Sequence, residues 1–170
     1  TSPTNGYHSQ MAPVANTVKW VQVDLGARYP VQRIELVPAR PTDWKETPGF
    51  GFPVRFRLEV DNDPKFPNPQ LIFNQQQRDF ANPGNQPVVV RPQNTTARYV
   101  RLTASRLWDR GGEKHALALA EIAVFSEGQN VAQGAPVTAL DSIEANRWQR
   151  KFITDGFTSR TPLWSVEGLL

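Results

Sequence analysis

Apolar and polar positions alternate with a period of two along several short stretches of the chain. Within 31–37, Ile34 and Leu36 alternate with Arg33, Glu35 and Val37, and within 54–60, Phe56, Leu58 and Val60 alternate with Arg55, Arg57 and Glu59. A period of two is the mark of a strand with one face on a core and the other toward water. Strands are predicted at 20–25, 31–37, 54–60, 87–90, 98–104 and 119–125. The Asn-, Gln- and Pro-rich stretch 67–87 reads as a long connection with a short strand at 71–73. Fifteen prolines and eleven glycines punctuate these runs, and no segment joins helix period to helix length. The pattern predicts an all-β antiparallel sandwich.

Strand alternation assigns loops to ends. If successive strands run up and down, segments 1–18, 38–53 and 105–118 meet at one end, while Gly26 to Pro30 and the turn at Asp61 to Pro64 meet at the other. The first end receives the long loops, where function concentrates. It also collects Tyr7, His8, Arg40, Asp43, Trp44, Trp108, Asp109, Arg110 and His115. Sugars offer C–H faces to aromatic rings and paired hydroxyls to carboxylates, guanidinium groups and imidazoles. An indole beside an Asp and near an Arg, twice over, is the composition of a monosaccharide pocket. In the competing reading Trp44 and Trp108 anchor loops onto the core, Asp43 and Asp109 form turns, and His115 is structural. In Gly49-Phe50-Gly51-Phe52-Pro53 the two rings either close the sandwich end beneath the site or project as an apolar tip.

Composition narrows the partners little. The 170 residues suffice for one domain with its own core. There is no cysteine, so neither a disulfide framework nor Cys-ligated zinc is available. A net charge of +3, spread through the strands, lacks the clustered cations of a nucleic-acid surface. No apolar run is long enough to cross a bilayer, and the mean hydropathy is −0.49. The start at Thr1-Ser2-Pro3 has neither an initiator Met nor a leader pattern, which suggests a piece of a longer chain. No Gly-x-Ser-x-Gly elbow, His-Glu-x-x-His helix or phosphate-binding glycine loop is present, and no pair of carboxylates stands out as acid and base.

Three strings in order, Lys19-Trp20-Val21-Gln22-Val23-Asp24-Leu25-Gly26, Arg98-Tyr99-Val100-Arg101 and Ala120-Glu121-Ile122-Ala123-Val124, resemble strands of the discoidin, or coagulation factor 5/8 type C, family. The resemblance implies a jelly-roll β-sandwich and a non-catalytic carbohydrate-binding module. It implies a monomeric module, tethered within a secreted or cell-surface bacterial polysaccharide-degrading protein, with neither nucleic acid nor membrane as partner. L-rhamnose is suggested by similarity to modules of α-L-rhamnosidases; the alternative is an adhesion or lipid-binding discoidin domain with Phe50 and Phe52 exposed. Residues 130–139 are similar to the opening strand of such a module, and Thr154-Asp155-Gly156 to the loop that normally precedes its Trp strand. Either the single domain 1–170 is circularly permuted, with 129–170 supplying the opening strand, or a second, truncated module begins there. In the permuted reading the resemblance implies a calcium held by Glu121 and Asp155, hard oxygen ligands of the kind calcium takes.

Overall fold

The computed structural model describes residues 2–163. The strands are β1 (Tyr7–His8), β2 (Lys19–Pro30), β3 (Arg33–Val37), β4 (Arg55–Asp61), β5 (Gln70–Gln75), β6 (Val88–Val90) and β7 (Thr96–Arg106). They continue with β8 (Trp108–Asp109), β9 (His115–Ala116), β10 (Ala118–Leu119), β11 (Glu121–Ser126), β12 (Gln129–Asn130) and β13 (Val137–Ala139). One turn of 3-10 helix spans Arg150–Thr154.

Two sheets form the sandwich, a five-stranded one ordered β13-β2-β7-β4-β5 and a four-stranded one ordered β12-β11-β3-β6. Every pairing within them is antiparallel. The predicted alternation places the core. Val21, Val23, Phe56, Leu58, Val100 and Leu102 from the larger sheet meet Ile34, Leu36, Ile122 and Val124 from the smaller. β2 runs beyond the predicted stop, because a register shift between Asp24 and Tyr29 carries its ladder with β7 past the Gly26 turn.

The smaller sheet departs from the one-sided pattern. All six residues of β11 are buried, and so is Glu35, 1% exposed, on the face where the sequence predicts water. Leu163 packs there against Val37, Ala120, Ala123 and Phe125, so the end of the described chain covers the outer face. Glu35 is accommodated beside Arg33, whose Nε lies 3.1 Å from Glu35 Oε1 and whose guanidinium sits 3.9 Å over the Phe125 ring.

Segment 129–139 forms two short strands in different sheets. β12 makes a hairpin with β11, and the chain then crosses so that β13 joins the edge of β2, with Val137 opposite Val23 and Ala139 opposite Val21. Ala132 and Ile153 belong to the same core as Val21 and Val23. Among the described residues no helix is long and apolar enough to cross a membrane.

Candidate functional site

The site begins with a pairing remote in sequence. β1 lies antiparallel to β10, with His8 opposite Ala118, and segment 143–149 is laid along its other side. There the Ile143 amide donates to the His8 carbonyl at 3.0 Å, and the Gln149 amide donates to the Gly6 carbonyl at 3.1 Å. The approach is close enough that Gly6, at φ 120°, has no room for a side chain: a Cβ would stand 2.2 Å from the Leu119 carbonyl oxygen. These contacts bring Trp148 beside His8 and Phe50. The His8 ring meets Trp148 edge-on at 5.1 Å, and Phe50 stacks with Trp148 at 5.7 Å. Phe50, 4% exposed, and Trp148, 8% exposed, form an aromatic floor with Ala39 and Ala118.

Above this floor opens a cleft of about 240 Å³. His8, Phe50 and Trp148 form its base, Pro41, Asp43 and Trp44 come from the 38–53 loop, and Arg110 comes from the tip joining β8 to β9. Met11, Ile143 and Asn146 complete the wall. The three long loops therefore converge, joined by segment 143–148. Trp44 is 41% exposed at the rim, and the Arg110 guanidinium lies 4.3 Å over its ring.

The polar groups of the cleft are held from behind. Fully buried Asn5 donates from Nδ2 to Asp43 Oδ1 at 2.8 Å, while its Oδ1 accepts from the Thr42 amide at 3.3 Å and from Arg147 Nε at 3.2 Å. His8 Nδ1 lies 2.6 Å from the Ser9 carbonyl. Since a carbonyl only accepts, Nδ1 carries the proton and Nε2 is left as an acceptor. Burial, joined by the charge of Arg110, holds the His8 pKa below its ordinary value against the opposing pull of that carbonyl. The neutral imidazole is favoured.

The remaining sequence candidates sit elsewhere. Tyr7 is interior, with its hydroxyl donating to the Asp141 carbonyl at 2.9 Å, because the alternation of β1 turns His8 toward the cleft and Tyr7 into the core. Arg40 binds Glu46 and lines a separate groove with Arg160. Trp108 packs on Phe50 with centroids 4.5 Å apart, supporting the floor from behind. Asp109 accepts from the Gly111 amide at 2.7 Å as a turn former, and His115 Nδ1 lies 3.3 Å from the Ala12 carbonyl. Phe52, 1% exposed, is in the core, and neither it nor Phe50 projects as an apolar tip. Sequence reasoning did not select Met11, Ile143, Asn146 or Trp148. The one available signal was an indole standing alone in the polar stretch 144–150.

Glu121 and Asp155 come together at the other candidate locus. Glu121 is fully buried; its Oε2 accepts from the Gly156 amide, while Oε1 has no hydrogen-bond partner among the described residues. Burial, then the nearby Asp155 charge, pushes the Glu121 pKa up to about 10, and burial pushes Asp155 up to about 6. A buried carboxylate oxygen without a partner beside a second carboxylate is a costly arrangement unless a proton or a cation neutralises it.

No protein-family model and no curated protein matches the chain. Among solved structures, CBM32-3 from a family 31 glycoside hydrolase of Clostridium perfringens superposes with a TM-score of 0.52, at 18% identity over 71% of this chain and 74% of that one. The C-terminal domain of a chitobiase from Bacteroides fragilis gives 0.45 at 23% identity, over 67% of this chain and 66% of that domain's length. CpGH89CBM32-5 of Clostridium perfringens, solved in complex with GalNAc-β-1,3-galactose, gives 0.44 at 18% identity, over 66% and 77%. The first of these superpositions shows that the chain has the discoidin-like β-sandwich fold.

Proposed function

We propose that the chain is a non-catalytic carbohydrate-binding module that holds one sugar unit of a glycan in the cleft above Phe50 and Trp148. The observation that carries this reading is the composition of the cleft: an aromatic floor, an indole rim and separate polar groups from Asp43, Asn146, Arg110 and His8 in about 240 Å³. Sugar C–H faces pack on the rings, and hydroxyls pair with the Asp43 carboxylate, the His8 acceptor and the Arg110 donors. The volume lies below the range of pockets for larger ligands, which matches one ring and a modest affinity. The burial of Phe50 and Phe52 supports this reading over a lipid-binding one. The wider setting, a secreted module tethered within a bacterial polysaccharide-degrading protein, is part of the proposal. So is the single permuted domain, with β13 taking the place of an opening strand beside β2. L-rhamnose enters as a test ligand on the sequence resemblance alone.

Glu121 and Asp155 fit a calcium ion in chemistry, since Glu121 Oε1, without a hydrogen-bond partner among the described residues, and the neighbouring carboxylate are hard oxygen donors. A bound calcium would cancel their mutual repulsion and tie the Asp155 loop to β11. The two carboxylates would then be held ionised, while the Gly156 amide keeps its bond to Glu121 Oε2.

Titration of the chain with rhamnose, galactose and GalNAc, followed by NMR or calorimetry, tests the sugar site. Binding in the micromolar to millimolar range is expected, as few ligand atoms are engaged. Trp44→Ala is expected to weaken it at least tenfold with the fold intact. Unchanged binding in both Trp44→Ala and Trp148→Ala would move the site elsewhere, and cleavage of any glycan by the wild-type chain would refute the non-catalytic reading.

A further inference from the structure

The cleft contains a guanidinium, that of Arg110, with no carboxylate partner among the described residues. Arg40, Arg98 and Arg150 each hold a carboxylate, at 2.5, 2.8 and 3.3 Å. Arg110 has neither a carboxylate within ion-pair distance nor a side-chain hydrogen bond among the described residues. It is nonetheless placed. Its amide donates to the Lys114 carbonyl at 2.9 Å at the hairpin tip, and β8 pairs with β9 below it. Trp108 of the same hairpin is packed on Phe50 of the floor. The guanidinium carbon then lies 4.3 Å over the Trp44 ring, a contact that helps hold it at the cleft wall. A half-buried arginine held over an indole at a cleft wall, with no carboxylate on its N–H groups among the described residues, is a ready receptor for a planar two-oxygen anion.

We infer that Arg110 makes the cleft selective for an acidic sugar, a uronic acid whose C6 carboxylate takes the Arg110 fork while its ring lies on the Phe50–Trp148 floor. The inference rests on the sugar-binding reading above and adds the ligand's charge. The other carboxylate of the cleft does not compete for the fork. Asp43 is engaged by Asn5 Nδ2 and lies outside ion-pair distance of Arg110, which leaves it to accept ring hydroxyls. The Arg110 charge is also felt at the base of the cleft, where it helps hold His8 neutral. A neutral sugar would satisfy Asp43 and His8 but leave the fork to water.

The test compares three ligands of one ring configuration, D-galacturonate, its methyl ester and D-galactose, titrated into the whole chain at pH 7 and low salt. Galacturonate is expected to bind at least tenfold tighter than the ester or galactose, with the gap narrowing as salt rises. Arg110→Gln is expected to bring the acid-to-ester ratio near one. Arg110→Lys keeps the charge without the fork, and its ratio is expected to fall between the two. Equal binding of acid and ester by the wild type, or a preference that persists in Arg110→Gln, would overturn the inference and leave the sugar-binding reading standing. Failure of all three ligands and of neutral glycans generally would overturn both.

Discussion

Asn5→Ala removes a side chain that ties Thr42 and Asp43 of the 38–53 loop to Arg147 behind the cleft. Three hydrogen bonds disappear: to Asp43 Oδ1 at 2.8 Å, from the Thr42 amide at 3.3 Å and from Arg147 Nε at 3.2 Å. Bonds involving a charged group contribute about 1.5–3 kcal/mol and neutral ones about 0.5–1.5 kcal/mol. Two corrections lower the sum. Asp43 is exposed and regains water, and Arg147 keeps its Nη2 bonds to the Ser2 and Thr4 carbonyls, both 3.0 Å. A net loss of about 2–3 kcal/mol remains, corresponding to a Tm lower by roughly 4–12 °C for a domain of this size. Release of Asp43 should also weaken sugar binding by about tenfold, or about 1.4 kcal/mol. Asn5→Asp should be worse than Asn5→Ala, because it sets a second carboxylate against Asp43. Thermal unfolding and sugar titration of the two variants give the answer. A Tm within 2 °C of wild type together with unchanged affinity would refute the role assigned to Asn5 (~2 °C being about 1 kcal/mol or less).

Gly51→Ala should destabilise by about 2–4 kcal/mol. Its φ is 74° and the new Cβ would stand 2.3 Å from that of buried Ala118, so a denaturation midpoint equal to wild type would contradict the close packing beneath the floor. Chelation should lower the Tm of the wild type and leave that of Glu121→Gln unmoved, as a ligand that binds only the folded state stabilises it by mass action; a Tm that ignores both calcium and chelator would remove the ion from the proposal. Stability should fall as pH drops below about 6.5, where unfolded chains protonate histidine while buried His8 resists. Urea midpoints measured from pH 7.5 to 5 should show this dependence reduced in His8→Gln, and an identical profile in the variant would assign the acid loss to other groups.

Local rules made much of the fold legible. Strand existence follows from the side-chain period of two, so Phe56, Leu58 and Val60 announce both β4 and its buried face without reference to any partner. The gathering of three long loops at one end follows from alternating strand direction, and with it His8, Asp43, Trp44 and Arg110. Burial of the second face of β3 and β11 was not legible, since it depends on Leu163 returning from the far end of the chain to cover Val37 and Phe125. Neither was the division of 129–139 between two sheets, which the edges of β11 and β2 decide.

The site divides in the same way. Residue types suited to a sugar could be read from the chain, but which of them share a cleft is set by pairings between distant segments. Tyr7 and His8 are neighbours in sequence, and the register of β1 against β10 sends one to the core and the other to the cleft. Trp148 lies in a stretch with no period of its own and reaches the floor only because residues 5–8 provide an edge for it. Arg40 and Arg110 are the same residue type, yet Glu46 pairs with the first and, among the described residues, no carboxylate reaches the second. Periodicity is a property of the chain by itself, whereas the company a side chain keeps is decided by what the rest of the fold brings to it.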